Sequence, residues 1–190
     1  MTPPAGAGDA TGTEEAGADA ERVAQLLGRR PQGRFEVVVR DADGDPVVIR
    51  NDPFLADGTP MPTRYWLVGS AVRRQVDQLE AAGGVRAAEA EVDPEALVDA
   101  HRRYAAERDA DVPDGWAGAR PRGGVGGTRR GVKCLHAHYA WYLAGGDDPV
   151  GAWVAERLAA GVAPSEGVGT RRRGPRSGPD PAPATVGKRA

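Results

Sequence analysis

The sequence predicts an α+β fold: a small antiparallel sheet (hairpin plus one strand) packed by about four to five helices. Three observations predict it. Two Val-rich runs, "FEVVV" and "PVVI", flank Asp43-Gly44, a dipeptide that favours the tight turn of a hairpin. Beyond Ser70 the apolar spacing changes from strand-like alternation to the three-and-four spacing of helices. The two ends, residues 1–20 and 162–190, show no apolar periodicity and are expected to be disordered tails, which leaves residues 21–161 as one domain.

Taken in order, "ERVAQLLGR" reads as a short helix with Val23, Leu26 and Leu27 on one face and Gly28 as its stop. The hairpin follows. "TRYWLVG" is the third strand, reached through a loop punctuated by Pro53, Pro60 and Pro62. "SAVRRQVDQLEAAGG" predicts a helix opening at Ser70, with Val72, Val76 and Leu79 inward and Gly83-Gly84 as the stop. "DPEALVDAHRRYAAERDA" predicts another, with Asp93 as N-cap, Pro94 in the first turn, and Leu97, Val98, His101 and Tyr104 on its inner face. A Gly/Pro/Arg-rich loop over 113–132 leads into "KCLHAHYAWYLAGG", a helix stopped at Gly145. The last helix is "DDPVGAWVAERLAAG", capped by Asp148 and facing inward with Val150, Trp153, Val154 and Leu158.

The composition is that of an ordinary soluble domain, 40% hydrophobic and 27% charged, with a core built mainly from Val, Leu and Ala because aromatics are only 5%. A net charge of −2 gives no overall field favouring nucleic acid or membranes. The charge is uneven, however: the first twenty residues carry acids and no base, and the tail over 162–190 is rich in Arg. A single cysteine excludes an internal disulfide. The start has neither the basic nor the apolar region of a secretory signal, and no run is long and apolar enough to span a membrane. A cytoplasmic protein is expected.

"GGVGGTRRGVKCLHAHYAWYLAGG", residues 123–146, is the densest chemistry in the chain, with the only cysteine, two of three histidines and three cations. Three readings compete for it. As an anion site, the Gly-rich loop runs into a helix N-terminus, where free N–H groups and the positive dipole end attract phosphate. Arg120, Arg122, Thr128, Arg129, Arg130 and Lys133 supply donors, with Asp52, Thr63 and Arg64 opposite. It is not a Walker loop, since the G-x-x-x-x-G-K-[ST] order is absent. As a metal site, a helix would pair Cys134 with His138 four residues on and take His101 as a third zinc or iron ligand, leaving His136 on another face. A strand would instead put Cys134, His136 and His138 together. As a catalytic site, Cys134 would be a nucleophile with its pKa lowered by Lys133 and the helix start, served by His138, with Asp52 a further candidate.

"NDPF", "GTPMPTRYWLVG", "LEAAGGV" and "GGVGGTRRGVKCLHAHYAWYLAGGDDPVG" together resemble a bacterial family catalogued as domain of unknown function 501. The resemblance covers about residues 24–160, the whole expected fold, and leaves out both tails. It implies a cytoplasmic bacterial protein and no activity, so it brings no site residues. The leading expectation is therefore a pocket for a phosphate-bearing small molecule or nucleotide at the Gly/Arg loop. The alternatives are a metal-dependent hydrolase at the Cys/His cluster, and a non-catalytic interaction protein whose basic C-terminal tail contacts nucleic acid.

Overall fold

The computed structural model describes residues 10–161, so the expected basic tail and any nucleic-acid contact through it lie outside the described residues, as do residues 1–9. The hairpin forms where Asp43-Gly44 places it. Gly44 takes φ 87°, a conformation that suits a residue without Cβ. Asp41 braces the turn, its Oδ1 accepting from the N–H groups of Asp43 at 3.0 Å and Asp45 at 2.9 Å.

Strand β1 (Gly33–Arg40) pairs antiparallel with β2 (Pro46–Leu55), setting Val37 opposite Ile49 and Glu36 opposite Arg50. The short β3 (Tyr65–Leu67) pairs antiparallel along the other side of β2, giving the order β1-β2-β3. Both faces of the sheet are covered. Val48, Tyr65 and Leu67 pack into the main core, and Ile49 and Trp66 into a second cluster on the opposite face. That is why neighbours Val48 and Ile49 are both fully buried on a strand whose side chains alternate.

Six α-helices form among the described residues. Helix α1 (Ala10–Leu27) covers the second face through Val23, Leu26 and Leu27. It begins well before Glu21, so residues 10–20, expected to be disordered, are helical. Propensity explains the extension: Ala and Glu favour helix once the apolar end is docked. The other helices pack on the main core: α2 (Ser70–Ala81), α3 (Gly84–Glu91), α4 (Pro94–Asp109), α5 (Leu135–Leu143) and α6 (Pro149–Ala159). Helix α3 is not among the expected helices, and it starts at Gly84, the second glycine of the expected stop, with Gly83 as its N-cap.

Two caps form as the sequence predicts. Asp93 Oδ1 accepts from Glu95 N–H at 2.7 Å and Ala96 N–H at 3.0 Å. Asp148 Oδ1 accepts from Val150 N–H at 2.9 Å and Gly151 N–H at 3.1 Å. Val98, expected inside, is exposed instead. The inner stripe of α4 runs through Leu97, His101, Tyr104 and Arg108, and Val98 lies one step around the helix from it. No helix among the described residues is long and apolar enough to cross a membrane.

Candidate functional site

The inner stripe of α4 is polar, and it organises everything around the Gly-rich loop. His101 Nδ1 accepts from Val125 N–H at 3.1 Å, and its Nε2–H donates to Gly131 O at 3.1 Å. One turn on, the buried Tyr104 hydroxyl accepts from Arg64 N–H at 2.6 Å. Glu107 then gathers Tyr65 Oη, Arg64 Nε at 3.3 Å and Trp141 Nε1 at 2.9 Å. Arg108, 1% exposed, donates to Gly123 O at 2.8 Å and Pro121 O at 3.3 Å. The glycines make this contact close. A Cβ on Gly124 would sit 2.5 Å from His101 Cβ and Nδ1.

These contacts change the meaning of the cations expected to bind an anion. Arg64 is buried and paired with Glu107 and, at 2.6 Å, with Asp111. Lys133 donates to Gly126 O at 3.1 Å, and the Thr128 hydroxyl to Arg130 O at 2.8 Å. Arg120, Arg122, Arg129 and Arg130 are exposed, and none forms an ion pair among the described residues. Two amides, one at the end of the loop and one at the helix start, are occupied by the chain's own carboxylates. Leu135 N–H donates to Glu80 Oε1, and Val132 N–H to Glu89 Oε1 at 2.7 Å. The fold thus places internal anions where a ligand was expected.

The Cys/His cluster divides in two. Helix α5 begins at Leu135, one residue after Cys134, which is its N-cap in an extended conformation (φ −157°, ψ 147°). The four-residue spacing expected to pair Cys134 with His138 therefore does not operate. Cys134 lies instead beside His136 and Glu80, their ligating atoms all within 4.8 Å of one another. His138 is buried away from them, its Nδ1–H donating to Asp148 Oδ2 at 2.7 Å. His101 stands next to His138, ring centroids 5.8 Å apart, and is committed to the loop. Asp52 is at a separate groove, 3.9 Å from Arg34.

Cys134 and His136 open onto a pocket of about 310 Å³ along the outer edge of β3. Its walls are Leu27, Trp66, Leu67 and Ala137, and its polar groups include Thr63, Arg29 and Arg73. Arg29 lies over the Trp66 ring at 5.1 Å, and Arg73 donates to Leu26 O at 3.2 Å. Neither arginine forms an ion pair among the described residues. Burial pushes the Cys134 thiol up, and the Glu80 charge adds to the effect. Lys133 pulls the other way, as expected, but its ammonium is bonded to Gly126 O and its effect is smaller than that of burial. This setting favours the neutral thiol and gives little support to a nucleophile.

A family model described as "Protein of unknown function (DUF501)" matches residues 37–156. The chain belongs to this family. No curated protein and no solved structure matches it. The matched span of this DUF501 chain begins within β1 and reaches into α6, so it includes the α4 stripe, the loop and the β3-edge pocket, apart from Leu27 and Arg29.

Sequence reasoning missed Asp77, Glu80, Arg29 and Arg73. The only signal was an i, i+3 pair of acids on a helix, which by itself reads as a solvated face. What makes Glu80 special is that α2 packs against α5, a contact between segments far apart in sequence.

The loop clasp has a pH signature. Burial holds His101 below the ordinary imidazole value, and its Nδ1 is already an acceptor. Protons then bind the unfolded chain more readily than the folded one. The stability this provides is full above about pH 6.5 and is lost as pH falls toward the depressed folded value. Between about pH 7.5 and 5.5 the melting temperature of the wild type is expected to drop more than that of His101→Gln. Equal slopes in thermal melts would remove His101 as the cause.

Proposed function

We propose that this protein binds a small phosphate-bearing molecule in the β3-edge pocket, with its charged group on Arg29 and Arg73 and its body against Trp66, Leu27 and Leu67. The observation that carries this reading is a pair of arginines, without carboxylate partners among the described residues, at an apolar-walled pocket. Guanidinium groups match phosphate with two parallel hydrogen bonds, and an apolar wall holds the remainder of a ligand. Thr63, expected opposite the Gly/Arg loop, supplies a hydroxyl here. At about 310 Å³ the pocket suits a sugar phosphate or a nucleoside monophosphate better than a dinucleotide.

Calorimetric titration against a panel of sugar phosphates and nucleoside monophosphates tests the reading. At least one is expected to bind, and Arg73→Ala to weaken it about tenfold or more, the scale of one charge-assisted hydrogen bond. Heat from no member of the panel, or binding indifferent to Arg29→Ala and Arg73→Ala, would overturn it. Binding lost only in the Arg129→Ala plus Arg130→Ala variant would return the site to the Gly/Arg loop.

A further inference from the structure

We propose that Glu80, Cys134 and His136 form a binding site for a zinc-class divalent cation beside the β3-edge pocket, with Asp77 orienting the histidine. The three ligating atoms lie within 4.8 Å of one another. Around a tetrahedral ion, ligand atoms sit roughly 3.3–3.8 Å apart, so the set is slightly open and closes on the metal.

His136 supplies the second, independent observation. Its Nδ1 is 3.2 Å from Glu80 Oε1, and its Nε2 is 3.0 Å from Asp77 Oδ1. A neutral imidazole has one N–H and can satisfy only one of these carboxylates. A cation on the Nδ1 side resolves the conflict: Nδ1 and Glu80 both become ligands, and Nε2–H donates to Asp77. Ligand histidines are commonly held in this way, with a carboxylate on the far nitrogen fixing ring and tautomer. Asp77 and Glu80 are three apart on α2, so one helix face supplies both the ligand and its orienting group.

The chain geometry is built to present these groups. Cys134 is extended and His136 is in the first turn of α5, so both reach the same side of Leu135. Glu80 also accepts from Leu135 N–H, which pins its carboxylate between them. His136 and Glu80 keep 22% and 26% side-chain exposure, so an ion here is reachable from solvent. Binding displaces the Cys134 proton to solvent, and the resulting set of one thiolate, one imidazole and one carboxylate selects zinc, iron(II) or cobalt(II) over magnesium or calcium. Three protein ligands leave the fourth position for water or a ligand, and Cys134 and His136 border the pocket where it would enter. The site does not depend on the arginines, so it stands or falls separately from the phosphate reading.

The test uses full-length untagged protein, stripped with a chelator and titrated with Zn²⁺ against a chromophoric competitor and with Co²⁺, without phosphate. One equivalent of each metal is expected to bind, cobalt with a tetrahedral spectrum and a thiolate charge-transfer band. Cys134→Ser should abolish that band, and His136→Gln should weaken zinc at least tenfold. Asp77→Asn should weaken it by about 10–100-fold while keeping the band. Circular dichroism of each variant separates metal loss from unfolding. No stoichiometric binding, or affinity unchanged in both Cys134→Ser and His136→Gln, would overturn the site. Metal binding without any phosphate ligand would remove the Arg29/Arg73 reading alone, and the reverse result would remove the metal alone.

Discussion

Asp148→Ala is expected to destabilise the protein by about 3–5 kcal/mol, the scale of breaking a buried polar pair. Asp148 and His138 have 0% and 1% side-chain exposure. One carboxylate oxygen takes the first free N–H groups of α6, and the other takes the imidazole N–H from α5. A single side chain therefore caps one helix and ties it to the next. Alanine removes both functions and leaves a donor with no partner in the core. The cap alone accounts for about 1–2 kcal/mol and the orphaned imidazole for about 1–3 kcal/mol.

Asparagine separates the two contributions. As a good N-cap it keeps the bonds to Val150 and Gly151 while weakening the tie to His138, so Asp148→Asn should lose roughly half as much as Asp148→Ala. Denaturant melts of Asp148→Asn, His138→Gln and the double variant should give a coupling of about 0.5–3 kcal/mol. Additive losses, or less than about 1 kcal/mol for Asp148→Ala, would mean that the pair does not join the helices.

The two histidines show what the sequence could and could not reveal. The hairpin turn at Asp43-Gly44 and the caps at Asp93 and Asp148 were legible because each is made within a few residues of chain. Helix α5 was placed correctly except at its start, where the decisive group is Glu80 on a distant helix. That two-residue difference moves Cys134 out of the helix and pairs it with His136 rather than His138. Asp148 was recognisable as a cap, but its second oxygen on His138 required α5 and α6 to pack together. Arginines mislead in the same way. Arg64 is expected to bind an anion, yet it is buried and paired with Glu107 and Asp111, and Arg108 on α4 is buried as well. Arg29 and Arg73, unremarkable in sequence, remain at the pocket.

Arg108→Met is expected to cost about 3 kcal/mol and to loosen the Gly-rich loop before the rest of the molecule. The guanidinium spreads its donors over Gly123 O at 2.8 Å, Pro121 O at 3.3 Å and Pro62 O at 3.5 Å, and its Nε reaches Asp109 at 2.9 Å. It thereby joins the lead-in to β3 and the Gly-rich loop to α4. Methionine fills much of the volume but leaves these carbonyls without a donor, at about 1–3 kcal/mol for each one that stays buried. Lysine keeps the charge but not the planar fork, and one ammonium cannot serve all these acceptors from a single point. Arg108→Lys should therefore recover well under half of the loss. Hydrogen exchange gives the local readout: the Val125 and Val132 amides, held by His101 and Glu89, should lose protection more than amides in α6. If Lys restores full stability, charge rather than the fork is what matters. If protection falls equally everywhere, Arg108 supports the global fold without specifically holding the loop.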